Sequence, residues 1–251
     1  GIGGDFARGV EVAGELLAIR GRVIPSTLSN ITLVGSTVSG ETLIGESRVG
    51  NSSDRLRSLT LIPANPAAHP EAVRAIEDAD MVVVGPGSLF TSIVPNLLIS
   101  DISAALAGSP AFKVYVCNVA EEPAQTEGYS VLDHLNIVRH YGGESSIDAV
   151  LANSNLPGGE TPAGLDFIRA NNPWEDDVIL VEADVIDETD NTSTARHDPV
   201  KLSNAIAETY RKYRGRRRRL PRIRLNPDLN RPDNSHTDLN DDGDLERLPA
   251  R

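Results

Sequence analysis

The sequence predicts an α/β sandwich with a mostly parallel sheet, together with a β-meander insertion and a disordered C-terminal tail. Strand-like and helix-like segments alternate between residues 69 and 213, as in folds whose parallel strands are joined by helices. Two of the strand-like segments, Met81–Gly85 and Lys113–Asn118, are apolar almost throughout, which is typical of strands covered on both faces. A length of 251 residues allows one large domain or two small ones.

The first 62 residues predict a helix and then three antiparallel strands. Apolar residues recur at helical spacing between Asp5 and Ile19, so we expect an amphipathic helix there. The β-prone runs ITLVGSTV and ETLIGESRV flank the turn dipeptide Ser39-Gly40, which predicts a hairpin. The alternating segment LRSLTLI, at Leu56–Ile62, adds a third strand. We therefore expect a β-meander over residues 22–62.

The rest of the chain supplies the alternating helices and strands. Helices are predicted at His69–Ala79, Ile99–Ala107, Ser130–His140, Pro162–Ala170 and Pro199–Tyr213, and further strands at Ile147–Ala152 and Val178–Ala183. Ser130 and Asp133 have the spacing of a capping pair, and Asp198 suits the N-cap before Pro199. Residues 214–251 contain clustered charge and few large apolar side chains, which predicts a disordered tail after a folded domain of residues 1–213.

Charge and cysteine content exclude several classes of protein. The net charge is −12, and 10 of the 24 basic residues lie in Arg214–Arg251, so the folded part is acidic. An acidic domain with 4% aromatic residues argues against specific nucleic-acid binding. The single Cys117 excludes an internal disulfide framework and a multi-thiolate metal site. The sequence contains no run of about 18 apolar residues, so no membrane-spanning helix is predicted. The single cysteine leads us to expect a reducing, intracellular compartment.

The most informative stretch is DADMVVVGPGSLFTSIVPNLL, at Asp78–Leu98. A glycine-rich turn at the carboxyl end of a buried parallel strand, followed by a helix, presents free backbone N–H groups that suit phosphate. Neither the GxGxxG fingerprint nor the Walker A pattern is present. The alternative is an ordinary tight strand-to-helix turn that carries no ligand.

The stretch from LIPANPAAHPEA to YSVLDHL, together with GRVIPST upstream and RHDPVKLSNAI downstream, closely resembles the gluconeogenesis factor family. This is the YvcK-like branch of the CofD-like group, which also contains 2-phospho-lactate transferase. The resemblance covers about Asp5 to Tyr213. It implies a Rossmann-like fold, a cytoplasmic location, binding of a nucleotide sugar of the UDP-N-acetylglucosamine type, and a role in cell shape and wall-precursor control during gluconeogenic growth.

The resemblance also implies partners and an alternative. A regulatory protein of this kind would transmit its bound state to a protein partner, and a homo-oligomer is left open. The alternative is an enzyme like the phospholactate transferases, which use a guanine nucleotide donor and a divalent metal. Mg²⁺ is expected only under that alternative, and no metal-ligating or catalytic residue is assigned.

Thirteen residues of this sequence are candidates for ligand binding, by their match to the family's motifs. They are Gly85, Pro86, Gly87, Ser88, Thr91, Ser92, Asn96, Asn118, Thr126, Glu127, His134, Arg196 and His197. Arg196 precedes a helix N-terminus, where a planar guanidinium is well shaped for bidentate contact with a diphosphate. The alternatives are that Arg196 pairs with the acidic run Glu182–Asp190, that Asp198 only caps its helix, and that His134 is a buried core residue.

The sequence departs from the family pattern at two places. Family members begin with a strand, a GGGTG-like loop and an acidic DDGGSSG-like segment, whereas this chain starts at GIGGDF. Roughly a hundred residues of the nucleotide fold are therefore expected to be missing, about half of a doubly wound domain. In addition, EEPAQTEGY stands where the family has a TQPGETD-like stretch, with Gln125, Thr126 and Glu127 in place of the usual Gly-Glu-Thr run.

Overall fold

A computed structural model describes residues 9, 10, 12, 20–156, 166–171, 173, 174, 176–187 and 195–215. The helix predicted for Asp5–Ile19 lies largely outside these residues, although Gly9, Val10 and Val12 are helical. The predicted disordered tail lies outside them from residue 216 onward, so its disorder stays a prediction.

A small antiparallel sheet forms the first part of the described chain. Its strands are β1 (Thr32–Thr37), β2 (Thr42–Ile44) and β3 (Leu56–Ile62). The predicted hairpin and third strand are confirmed, but β1 pairs with both of the others, in the order β2-β1-β3. The sheet therefore lacks the sequential strand order of the predicted meander.

The chain leaves this sheet earlier than the sequence predicts. The run ETLIGESRV is a strand only as far as the end of β2, and a short helix, α1 (Glu46–Gly50), replaces its second half. Gly45 has a φ of +98°, which turns the backbone out of the strand. The apolar Val49 is fully buried from this helix, so its hydrophobicity reflects core packing and not a continued strand.

A four-stranded parallel sheet is the centre of the fold. Its strands are β4 (Met81–Val84), β5 (Phe112–Val116), β6 (Ala149–Asn153) and β7 (Ile179–Ala183), in the order β4-β5-β6-β7. All residues of β5 and β6 are buried, as apolar central strands should be. β4 is an edge strand, and its four residues are partly exposed. Its side chains still pack on both faces of the sheet, Val82 and Val84 on one and Met81 and Val83 on the other, as its apolar sequence predicts.

Helices connect the strands and cover the sheet. They are α2 (Pro70–Glu77), a π-helical turn (Leu89–Ile93), α3 (Val94–Leu97), α4 (Ser100–Gly108), α5 (Val131–Gly142) and α6 (Pro199–Tyr213). The predicted capping pair of Ser130 and Asp133 is confirmed as a reciprocal capping box at α5. Of the helix predicted over residues 162–170, only the part from Asp166 is described; it is not helical, because Phe167 forms a β-bridge with Ala120.

Side chains of the central strands alternate between two hydrophobic clusters. Tyr115 and Val150 point to the side that α4 and α5 cover, and Val114 and Leu151 point to the side that α6 covers. The predicted α/β sandwich is therefore confirmed. Among the described residues no single helix is long and apolar enough to cross a membrane, although Leu89–Leu97 and Ser100–Gly108, bent by 81°, meet the length and apolarity requirement as a pair.

Candidate functional site

The glycine-rich loop at residues 85–88 lies where the sequence predicts it, directly after β4. Gly85 has a φ of +85°, and a Cβ atom added there would lie 3.1 Å from the carbonyl oxygen of Val116. A Cβ on Gly87 would lie 3.1 Å from the Cβ of Ser92. The two glycines therefore let the loop fold back tightly over the carboxyl end of β5 and against the following helical turn.

The π-helical turn begins at a backbone carbonyl of this loop. The carbonyl oxygen of Ser88 accepts hydrogen bonds from the N–H groups of Ser92, at 2.9 Å, and Ile93, at 3.0 Å. Within the described residues, no hydrogen bond uses the N–H groups of Gly87 or Ser88 as donors. Among the described residues these two backbone donors therefore have no acceptor.

The Glu122 carboxylate occupies other donors of the same loop. Its Oε2 atom accepts a hydrogen bond from Ser88 Oγ at 3.1 Å and another from the N–H of Leu89 at 3.3 Å. Burial raises the pKa of this carboxyl, and the two hydrogen bonds partly oppose the rise. The N–H of Leu89 is therefore not one of the free backbone donors that the sequence predicts for this turn.

Sequence reasoning missed Glu122. The signal that could have found it is its position: it follows β5, the strand next to β4, so the loops after these strands meet at the same edge of the sheet. The short spacing between the end of β5 and the Glu121-Glu122 pair places a carboxylate within reach of the glycine-rich loop.

Two predicted ligand residues, Thr126 and Glu127, build the loop that carries Glu122. Thr126 is fully buried, and its hydroxyl accepts a hydrogen bond from the N–H of Glu122 at 2.8 Å. The carboxylate of Glu127 accepts from the N–H of Ala124 at 3.0 Å. Both side chains therefore have a structural role in this loop, and their ligand-binding role stays a prediction.

His197 and Arg196 reach the same edge from the segment that precedes α6. The Nε2 atom of His197 lies 3.2 Å from the carbonyl oxygen of Cys117, one residue beyond the carbonyl that Gly85 approaches. Burial lowers the pKa of His197. Arg196 is exposed, and its own carbonyl accepts from the N–H of Asp187 at 2.9 Å.

The segment also begins α6, and Asp198 has the capping role that the sequence predicts. Its Oδ1 atom accepts hydrogen bonds from the N–H groups of Val200 and Lys201, both at 2.8 Å. The first free amides of α6 are thus already satisfied by a side chain of the protein itself.

The other candidates near the loop are distributed over its rim. Pro86 and Ser92 are exposed, and Asn118, directly after β5, is half-buried. The Asn96 amide donates to the carbonyl oxygen of Ser92 at 2.7 Å and accepts a hydrogen bond from the Ser26 hydroxyl. Both polar groups of the Asn96 side chain are therefore bonded within the protein. Thr91 is half-buried and faces α1, since its Cγ2 is 3.5 Å from a Cβ added at Gly50.

His134 lies in the hydrophobic core. It is 0% exposed, its Nδ1 is 3.0 Å from the carbonyl oxygen of Ser130, and its ring packs edge-on against Tyr129. Burial lowers its pKa, so the ring is neutral at pH 7. No described residue hydrogen-bonds to its Nε2 atom. The buried alternative that the sequence left open fits this placement.

Within the described residues, no group of three or more His, Cys, Asp or Glu side chains is arranged to hold a metal ion. The single thiol, Cys117, is buried, and burial raises its pKa to about 12. The chemistry that the described edge offers is therefore hydrogen bonding from N–H and O–H donors, beside a carboxylate and a neutral imidazole.

Comparison with known proteins identifies relatives over most of the chain. The sequence pattern of the family described as "2-phospho-L-lactate transferase CofD" matches residues 1–189. A "Putative gluconeogenesis factor" of Nostoc sp. is 38% identical over 220 residues, which are 83% of this chain and 47% of that protein. A Thermotoga maritima protein with the same description is 35% identical over 213 residues, 82% of this chain and 67% of its own. The chain thus spans about half the length of the Nostoc relative.

A solved structure agrees with the fold. The crystal structure of a Bacillus halodurans protein superposes with a TM-score of 0.75 at 32% sequence identity, covering 82% of this chain and 68% of that chain. Because the family pattern matches more than half of the chain, and the relatives share both its sequence and its fold, the protein belongs to the CofD family and is a homologue of the gluconeogenesis factors.

Proposed function

We propose that this chain carries the phosphate-binding edge of a nucleotide-sugar site of the UDP-N-acetylglucosamine type, and that it acts as a regulatory binding protein. Its role would be in cell shape and wall-precursor control during gluconeogenic growth, in the cytoplasm, with a protein partner that recognises the bound state. The family's gluconeogenesis factors support the regulatory part of this proposal.

The observation that carries the proposal is that the glycine-rich loop already holds an anion. Ser88 Oγ and the N–H of Leu89 both donate to one carboxylate oxygen of Glu122. Donors that point at one carboxylate oxygen can also donate to a phosphate oxygen. The N–H groups of Gly87 and Ser88 add donors beside it, because the tight backbone leaves them without an acceptor among the described residues.

Arg196 and His197 supply the second side of the proposed site. His197 is held by Cys117 at the end of β5, which places its exposed neighbour Arg196 at the same edge of the sheet as the loop. A guanidinium there can neutralise a diphosphate that the loop binds through backbone and hydroxyl donors.

The second candidate is a transferase like the family's name-giving members, which the family match favours. This activity needs side chains that hold a divalent cation, usually carboxylates. The described residues contain no such cluster and therefore do not fit the cation.

Calorimetric titration separates the two functions. The chain is titrated with UDP-N-acetylglucosamine and with GDP, each with and without Mg²⁺. We expect the UDP sugar to bind without Mg²⁺, and binding of GDP only with Mg²⁺ would favour the transferase. If neither nucleotide binds, both functions are refuted for this chain.

A matched pair of variants locates the site. Ser88→Ala removes a hydroxyl of the loop and should weaken binding about tenfold, the effect of one hydrogen bond to a charged group. Ser103→Ala removes a hydroxyl that bonds only within its own helix, to the carbonyl of Ser100, and should leave binding unchanged.

A further inference from the structure

We propose that the Glu122 carboxylate is an internal competitor of the ligand: it occupies donors of the glycine-rich loop and must take up a proton and rotate away from them before a nucleoside diphosphate binds. This inference rests on the proposed function of the same site. It adds that binding of the diphosphate is coupled to uptake of a proton by one identified residue.

The competition follows from the shared donors. Ser88 Oγ and the N–H of Leu89 point at a single atom, Glu122 Oε2, at 3.1 Å and 3.3 Å. A phosphate oxygen that accepts from the same two groups would have to lie where this carboxylate oxygen lies. An ionised Glu122 that remained beside the phosphate would repel it, because both carry negative charge in a partly dry environment.

The backbone of the loop that carries Glu122 is held in place by hydrogen bonds, so we expect ligand binding to change the Glu122 side chain and not the backbone. The N–H of Glu122 is bound by Thr126 Oγ1, and the Gln125 amide donates to the carbonyl of Gly50 at 3.0 Å. Arg55 donates to the carbonyl of Glu127 at 2.8 Å, which ties the loop to the antiparallel part of the fold. Protonation and rotation of the carboxyl are therefore easier than movement of the backbone.

Within the described residues, no lysine or arginine forms an ion pair with the Glu122 carboxylate. Arg196 is a cation at the same edge of the sheet. From β5 Glu122 is faced by Tyr115 and, next to it, Cys117, both neutral because burial raises their pKa values. His197 bonds the end of β5, and burial lowers its pKa, so it is neutral at pH 7. The other acids of its own loop are Glu121 and Glu127, whose carboxylates accept hydrogen bonds from backbone N–H groups. Arg55 donates to a backbone carbonyl and lies over the Tyr129 ring.

A protonated Glu122 has the opposite effect on a ligand. It carries no charge, and its hydroxyl can donate a hydrogen bond to a phosphate oxygen. Since burial already raises the pKa of this carboxyl, a nearby phosphate would raise it further, and the complex would hold a proton that the free protein lacks. Binding should therefore become tighter as the pH falls toward the pKa of Glu122.

The test compares the chain with two charge-matched variants, Glu122→Gln and Glu121→Gln. Each is titrated with UDP-N-acetylglucosamine at pH 5.5–7.5 in buffers of different ionisation enthalpy, so that the heat reports the protons taken up. Glutamine at 122 can still accept from Ser88 and Leu89, so we expect this variant to fold. As a neutral acceptor it binds these two donors more weakly than a carboxylate does, so a phosphate displaces it more easily. The Glu121 carboxylate accepts from the N–H of Gly128, at 2.7 Å, and not from the glycine-rich loop.

We expect Glu122→Gln to bind about tenfold more tightly at pH 7.5, by the size of interactions with a charged group, and to lose the proton uptake seen in the unmodified chain. Glu121→Gln should behave like the unmodified chain. Any contribution of His197 remains in both variants and cancels in the comparison. Equal affinity and equal proton uptake in all three proteins would overturn the inference and leave the proposed function intact, whereas binding by none of them would overturn both.

Discussion

Replacing Gly85 by alanine tests whether the glycine-rich loop has the tight geometry described above. At this position φ is +85°, a conformation that residues with a Cβ atom rarely adopt, and the new Cβ would lie 3.1 Å from the carbonyl oxygen of Val116. That oxygen belongs to β5, which is paired on both sides, by β4 and β6, so it cannot move away easily.

The expected loss of stability has two parts. A positive φ costs an alanine about 1–2 kcal/mol. Forcing an extra carbon against a backbone atom in a packed region costs about 1–3 kcal/mol. Together these predict that Gly85→Ala lowers the free energy of unfolding by about 2–5 kcal/mol, which lowers Tm by about 4–20 °C for a domain of this size.

Gly40→Ala is the matched control. Gly40 has a φ of +93°, but no atom lies within 4 Å of a Cβ added there. Gly40→Ala therefore has the free-energy cost of a positive φ without the close contact to a backbone oxygen. The stabilisation that alanine gives by restricting the unfolded chain is common to both variants and cancels in their difference.

The assay is urea denaturation followed by circular dichroism, with Tm measured in parallel. We expect Gly85→Ala to be less stable than Gly40→Ala by about 1–2 kcal/mol, the lower part of the range for overpacking. Equal stability of the two variants would show that the loop does not lie against β5 as described, and would refute the geometry on which the proposed site depends.

Three further predictions concern a cap, a charged contact and a buried histidine. Asp198→Ala should lower the free energy of unfolding by about 1 kcal/mol, as measured by urea denaturation, because it removes the cap of α6. Asp198→Asn should keep most of the stability of the unmodified chain, because asparagine can also cap a helix. Arg196→Ala should weaken binding of UDP-N-acetylglucosamine by about 1.5–3 kcal/mol in calorimetry, whereas Arg211→Ala, at the far end of α6, should not. Because the pKa of His134 is lowered in the folded protein, the unfolded chain binds more protons below about pH 6.5, and the free energy of unfolding should decrease as the pH falls from there. His134→Gln should reduce this dependence of stability on pH. An unchanged dependence would exclude His134 as its source.

Most of the secondary structure could be predicted from periodicity and capping residues. The helix at Pro199–Tyr213 has the predicted boundaries because Asp198 and Pro199 determine its start locally. The second β-prone run was misjudged beyond Ile44, because Val49 is apolar for its place in the core and alternation cannot distinguish that from a strand. The edge position of β4 could not be predicted, because an edge strand and a central strand of a parallel sheet can have the same apolar sequence.

The sequence predicts the glycines of the candidate site but not the Glu122 carboxylate that occupies two of its donors. A glycine-rich turn after a buried strand is a local pattern, and the structure places it at the carboxyl edge as expected. Glu122 could not be assigned in the same way, because it is 34 residues away from Ser88 in sequence and they meet only when β4 and β5 pair.

The sequence by itself determined the α/β class, the family, and the places where helices begin, because these depend on residues close together in the chain. Only the tertiary structure decided which donors of the loop are occupied, that His134 belongs to the core, and that His197 lies beside Cys117. The physical reason is that hydrogen bonds and burial at this edge join segments distant in sequence, whose contacts form only when the parallel sheet orders its strands.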